Sequence, residues 1–173
     1  NLPSGPLVLN QGQSYLFNAP IGTLITADKR IVMVVGSYGD TPQSCGGSGQ
    51  DGTVDQLAPV SSLGDKYMIV RGAGAIGTGN THPEQTVVIA TQSNTTFTIE
   101  NFSAQGVSLG TQTTINLVNA GDFHNFHHGD ANTQFSSSMI ISNKPVSVIS
   151  GTAYGCETDF STVLPIGGCT GAT

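Results

Sequence analysis

Thr86-Val87-Val88-Ile89-Ala90-Thr91, then Gln92-Ser93-Asn94, then Thr95-Thr96-Phe97-Thr98-Ile99 is the stretch that decides the fold class. Two runs rich in β-branched residues flank a short polar segment, the pattern of two strands and a turn, and predict a hairpin. Outward from it, Thr113-Thr114-Ile115-Asn116-Leu117-Val118 alternates and meets the turn residues Asn119-Ala120-Gly121. Further strands are predicted at Ser14–Phe17, Thr23–Thr26, Ile31–Val35, Lys66–Val70, Met139–Ile141 and Val146–Ile149. No window sustains a period of about 3.6 residues with helix formers and caps. Many short strands with turn residues between them predict an all-β chain, β-sandwich-like or of barrel or propeller type, built from antiparallel strands. Two Gly-rich stretches, Gly36–Val54 and Gly72–Glu84, are expected as long loops.

The chain has 173 residues and 37% apolar residues, enough for a core, expected as one all-β unit over 1–173. Charged residues are 9% and the net charge is −6, with five Lys and Arg in total. No basic stripe is available to neutralise phosphates, which argues against nucleic-acid binding. No apolar run reaches the roughly 18 residues of a membrane helix, so membrane insertion is not expected. Residues 1–20 carry no charge and show no basic leader, so Asn1 reads as a processed end. A surface polar through Ser, Thr, Asn and Gln suits a secreted or cell-surface protein. Cys45, Cys156 and Cys169 form no CxxC pair. In an oxidising compartment Cys156–Cys169 is the simplest disulfide and Cys45–Cys156 the alternative, with one thiol left for cross-linking.

The chain also repeats itself. Ala27-Asp28-Lys29-Arg30-Ile31-Val32-Met33-Val34-Val35-Gly36 aligns without gaps to Ser142-Asn143-Lys144-Pro145-Val146-Ser147-Val148-Ile149-Ser150-Gly151, an offset of 115. Upstream, Gly12–Phe17 matches Gly121–Phe126 at an offset of 109, and downstream Leu57-Ala58-Pro59-Val60 matches Val163-Leu164-Pro165-Ile166 at 106. The halves are expected at about 9–70 and 117–173, around a middle hairpin region at 71–116, the second copy being incomplete. The Asp/Asn-Lys pair is read as a tight hairpin turn, because Asn and Asp tolerate left-handed backbone.

At these blocks the chain resembles the N-terminal domain of the IgG Fc-binding protein family, a module of mucus and bacterial surface proteins. The resemblance rests on Ala27-Asp28-Lys29 through Gly36, Asp55-Gln56-Leu57-Ala58-Pro59 and Ile141 through Gly151, and on Val87–Thr91 with Asn94-Thr95-Thr96. It departs at Arg30, where proline is usual, at Ala58, which interrupts a double proline, and in having one cysteine in the first unit where two are expected. The resemblance implies architecture more than partner.

Asp122-Phe123-His124-Asn125-Phe126-His127-His128-Gly129-Asp130 concentrates three of the four histidines. His124, His127, His128 and Asp130 are the donors that zinc or copper would take, against the plainer reading of a polar turn after a strand. On a strand, His124, Phe126 and His128 share one face while Phe123, Asn125 and His127 take the other. The loops at 36–40 and 47–52 offer oxygen to calcium without an EF-hand spacing. No nucleophile elbow or paired carboxylate points to catalysis. Asn94-Thr95-Thr96 and Asn101-Phe102-Ser103 are N-glycosylation sequons.

The function expected is a non-catalytic structural or adhesive module, a filament or matrix subunit, that self-associates or attaches to another extracellular protein or surface. Leu7-Val8-Leu9 is the segment expected to be donated as a strand to a neighbour. The alternative is a carbohydrate-binding module, with or without calcium, that stacks a glycan on Tyr38 and Tyr154, which stand near equivalent positions after Gly36 and Gly151.

Overall fold

In the computed structural model, residues 5–40, 50–70, 84–103, 105–127, 135–152 and 160–163 are described. Among these residues nine strands run β1 Val34–Asp40, β2 Gln50–Gln56, β3 Gly64–Val70, β4 Glu84–Ala90, β5 Thr95–Ser103, β6 Ser108–Leu117, β7 Phe123–His127, β8 Phe135–Thr152 and β9 Phe160–Val163, with one 3-10 turn at Val60–Ser62. All pairings among the described residues are antiparallel. The chain is all-β, and its larger sheet curls into a half-barrel.

The 18-residue strand β8 is the spine of that sheet. Its first half pairs with β5 on one edge and β3 on the other. Its second half pairs with β4 and β9. β6 extends the sheet beyond β5, and β7 extends it beyond β4.

The hairpin expected at 86–99 is therefore not formed. β4 and β5 follow one another along the same edge of β8, with Ala90 opposite Val146 and Phe97 opposite Ser142. β6 and β7 follow one another in the same way outside them. Sequence pattern reports strand and turn but not direction. Here β8 supplies an edge long enough for both runs, so residues 91–94 step the chain along that edge and do not reverse it.

Alternation places the core on one face. Tyr67 and Ile69 of β3, Val88 and Ala90 of β4, Phe97 and Ile99 of β5, Leu117 of β6, and Ile140, Val146 and Val148 of β8 are buried, with Ile115 and Phe126 packed against them. Thr86, Thr95, Ser138 and Ser142 share this face and are hydrogen-bonded there, Thr86 to Ser150 (2.9 Å) and Ser138 Oγ donating to Asn101 Oδ1 (2.6 Å). A buried hydroxyl without a partner would cost about 1–3 kcal/mol. Tyr67 ties the core to the spine: its hydroxyl donates to the Val146 carbonyl and accepts from the Gly64 N–H at 3.0 Å. Burial raises its pKa above 10.0, against the lowering effect of the Gly64 bond; Asp65 adds a smaller upward push.

The Asn143-Lys144-Pro145 motif lies within β8 and not at a hairpin turn, contrary to the sequence reading. Pairing with β5 ends at Ser142 and pairing with β4 starts at Val146. Pro145, with no N–H to give, thus sits where the ladder is interrupted. The predicted loop 36–54 is likewise half ladder, β1 pairing with β2 as far as Asp40↔Gln50. Among the described residues, the predicted strands at 14–17 and 23–26 join no ladder, and Ile31–Val35 does so in β1 only from Val34.

Candidate functional site

Two segments between strands, residues 91–94 and 118–122, and the interrupted stretch of the β8 ladder at 143–145 lie side by side and form a crease across the sheet. Polar groups bridge it. The Asn94 N–H donates to the Val118 carbonyl (2.9 Å), and the Ala90 N–H to the Asp122 carbonyl (2.9 Å). Lys144 Nζ donates to the Ser93 carbonyl (2.5 Å), Thr91 Oγ1 to the Pro145 carbonyl (2.5 Å), and the Thr96 N–H to Asn143 Oδ1 (2.8 Å). The motif that repeats in the sequence is thus a joint, its polar side chains replacing the ladder bonds that the bend removes.

On one side of the crease the chain turns at Asn119-Ala120-Gly121-Asp122. The Asp122 N–H donates to the Asn119 carbonyl (3.1 Å), and the Asn119 N–H to Asp122 Oδ2 (2.7 Å). Gly121 has φ +89°, the left-handed backbone that glycine adopts at the third position of such a turn. The same turn stands 109 residues earlier. The Gln13 N–H donates to the Asn10 carbonyl (3.0 Å), the Asn10 N–H to Gln13 Oε1 (2.8 Å), and Gly12 has φ +81°. An aromatic pair follows each turn at matching positions, His124 with Phe126 (centroids 6.4 Å apart, 21° between planes) and Tyr15 with Phe17 (6.1 Å, 24°).

The correspondence extends to strand register. On the alignment of the two halves, Val34↔Gln56 maps onto Ile149↔Thr162, Val35↔Asp55 onto Ser150↔Ser161, and Gly36↔Val54 onto Gly151↔Phe160. The β1–β2 hairpin repeats β8–β9, and the first copy's additional residues carry its ladder on to Asp40↔Gln50.

The two copies differ in what completes them. In the second, β4 lies between β7 and the later half of β8. In the first, among the described residues, no strand lies between 14–17 and 31–35. Val146 is 0% exposed, whereas its first-copy counterpart Ile31 is 49% exposed; Met33, the counterpart of the buried Val148, is half-buried. The Leu57 N–H donates to the Met33 carbonyl (3.0 Å), so the Met33 carbonyl is turned toward the β2 side. Alternation turns the backbone N–H and C=O of Val34 to the opposite edge. The result is an exposed apolar segment with no strand beside its outer edge among the described residues, which we take as the candidate interaction site. Leu7, Val8 and Leu9 are likewise exposed and outside the sheets.

Of the residues singled out in the sequence, His124 is half-buried on the inner face, tilted against Phe97 (centroids 6.2 Å) and stacked on Phe126; Phe123 and Asn125 are exposed, as the period-2 reading expected. His127 ends β7 opposite Gln85. His128 and Asp130 lie outside the described residues, among which no group of three or more His, Cys, Asp or Glu converges on a metal position. Tyr38 is placed in β1 opposite Gly52; Tyr154, Cys45, Cys156 and Cys169 lie outside the described residues. Asn94 is exposed at the crease with φ +56°, and Asn101 is half-buried in β5 and accepts the Ser138 bond. The sequence reading saw in Tyr67 a strand residue and an aromatic platform and missed its buried bond to Val146; it found the turn at Asn119-Ala120-Gly121 but not Asn10, whose signal was Asn two places before an aligned glycine.

The crystal structure of Thermotoga maritima 1070 is similar to this chain, at 13% identity over 60% of this chain and 93% of that one, with a TM-score of 0.42. No curated protein matches the sequence. No helix among the described residues is long and apolar enough to cross a membrane. The model of the family described as IgGFc binding protein, a family of extracellular binding modules, matches residues 4–131 and 72–166. With the repeated turn, aromatic pair and hairpin register, these matches span most of the sequence, and the chain belongs to the IgGFc binding protein family.

Proposed function

We propose that this chain is a non-catalytic adhesive or structural module, secreted or displayed at a cell surface, that binds other extracellular protein by strand addition. One observation carries the reading: the first repeat copy presents an apolar segment with no strand among the described residues on the edge away from β2, exposing Leu16, Leu24, Val32 and Val34. An open edge of this kind supplies a row of backbone donors and acceptors for affinity and alternate side-chain positions for specificity. The low charge removes the repulsion that otherwise blunts such edges. Leu7-Val8-Leu9, also exposed, is the segment available for donation to a neighbour.

Light scattering across a wide concentration range, with surface plasmon resonance against immobilised copies of the chain and against the IgG Fc region named by the family, tests the reading. Binding that is weakened by a charge at Val32 is expected. A strictly monomeric chain that binds neither surface, or binds with Val32→Asp unchanged, overturns it.

A further inference from the structure

We propose that the first repeat copy is an acceptor for a strand of the β4 type, and that its occupant is that strand from a separate unit of this same family. This deepens the reading above and rests on it. The argument starts from the second copy, where what fills the equivalent position is visible. There β4 lies between β7 and β8, with Val88 opposite both His124 and Val148, and Ile89 opposite Phe123 and Ser147. Carried to the first copy by the two offsets, these four positions become Tyr15 and Met33, Ser14 and Val32. Turn, aromatic pair and hairpin register are already in place there without the strand.

Two features say why the occupant belongs to a unit of this kind. First, the copies already complete one another within this chain. β3, which follows the first copy's β2, pairs with the second copy's β8 and buries Tyr67 and Ile69 in the second copy's core. Handing a strand to the next unit is therefore how these repeats join. Second, the acceptor keeps the residue chemistry that β4 meets in the second copy: an aromatic pair on one side and a β-branched strand on the other. A strand reading Thr-Val-Val-Ile-Ala, with alternate apolar side chains, would cover Ile31 and Met33 as β4 covers Val146 and Val148, and its backbone would pair with the edge at Val34 that faces away from β2.

The test uses the chain as it stands with a synthetic peptide of residues Glu84–Ala90, a scrambled peptide and the Val34→Pro variant. Val34 faces away from β2, so proline there removes a donor from the open edge and leaves the β1–β2 bonds intact. Amide exchange in residues 14–17 and 31–35 should slow at least about tenfold on adding the peptide, as amides do when a local opening is suppressed. The scrambled peptide should have no effect, and V34P should lose the response while Val88, Ile140 and Val148 keep their protection. No slowing, or equal slowing in V34P, overturns the proposal. Dimerisation of the chain alone with the same amides protected supports the proposal, a second copy's β4 being such a strand, whereas dimerisation that leaves those amides unprotected overturns it. If the chain still binds the surfaces tested above while the peptide fails, the adhesive reading stands and only this occupant is wrong.

Discussion

Replacing Tyr67 with phenylalanine isolates the bond that fastens β3 to the spine. The side chain is fully buried, its hydroxyl donating to the Val146 carbonyl and accepting from Gly64 N–H at 3.0 Å. This is also where the β3–β8 register slips, Gly64 standing opposite Val146 and Lys66 opposite Ile141, so the hydroxyl bridges the two strands at an irregular point of the ladder. Phenylalanine keeps the ring packing and orphans two backbone groups. At about 1–3 kcal/mol for each buried group left unpaired, some of it recovered by relaxation, the expected loss is roughly 2–4 kcal/mol. Urea denaturation at pH 7 measures it, with an unchanged m-value as the sign that the fold is kept. The pH dependence gives an independent check. The folded-state pKa of Tyr67 is raised above the unfolded value of 10.0, so the stability it contributes is fully present below pH 10. As pH rises past 10 the unfolded chain releases the proton while the folded chain holds it, and stability falls by up to about 1.4 kcal/mol per pH unit until the folded pKa is reached. The advantage of the wild type over Y67F should therefore shrink above pH 10. A Y67F loss below about 0.5 kcal/mol, or the same alkaline slope in both proteins, would refute the reasoning.

Gly12 and Gly22 share a left-handed backbone, φ +81° and +86°, but a Cβ on Gly12 meets nothing within 4 Å while one on Gly22 would lie 2.0 Å from the Gly121 carbonyl oxygen. Gly12→Ala should cost only the strain of its backbone, about 1–2 kcal/mol, and Gly22→Ala should in addition separate the 20–23 and 119–122 turns, read as faster exchange at Gly121 in the second variant alone. Equal exchange in the two would remove the contact from the account. On expression through a glycosylating secretory host, the exposed Asn94 should carry glycan while Asn101, held in β5 against Ser138, should not. Intact mass after Asn94→Gln should drop by one glycan and after Asn101→Gln by none; the reverse pattern would contradict this placement.

The sequence fixes local chemistry here because strand period and turn residues act within a few positions. Alternation marked Val88, Phe97, Ile140 and Val148 as members of strands, and the aligned glycines marked the two turns. The duplication was legible in the same way, as aligned blocks at three offsets, but the β1–β2 ladder was not, residues 36–54 reading as a loop. Pairing was not legible, because an antiparallel partner is chosen by edges far apart in the chain. Residues 86–91 and 95–99 look like a hairpin until β8, about 50 residues on, offers an edge along which both can lie. Asn-Lys-Pro looks like a reversal for the same reason. Which copy has a neighbouring strand is likewise a tertiary fact: Ser14–Phe17 and Phe123–Phe126 are similar as sequence, and among the described residues only the second is paired in a ladder, with β4.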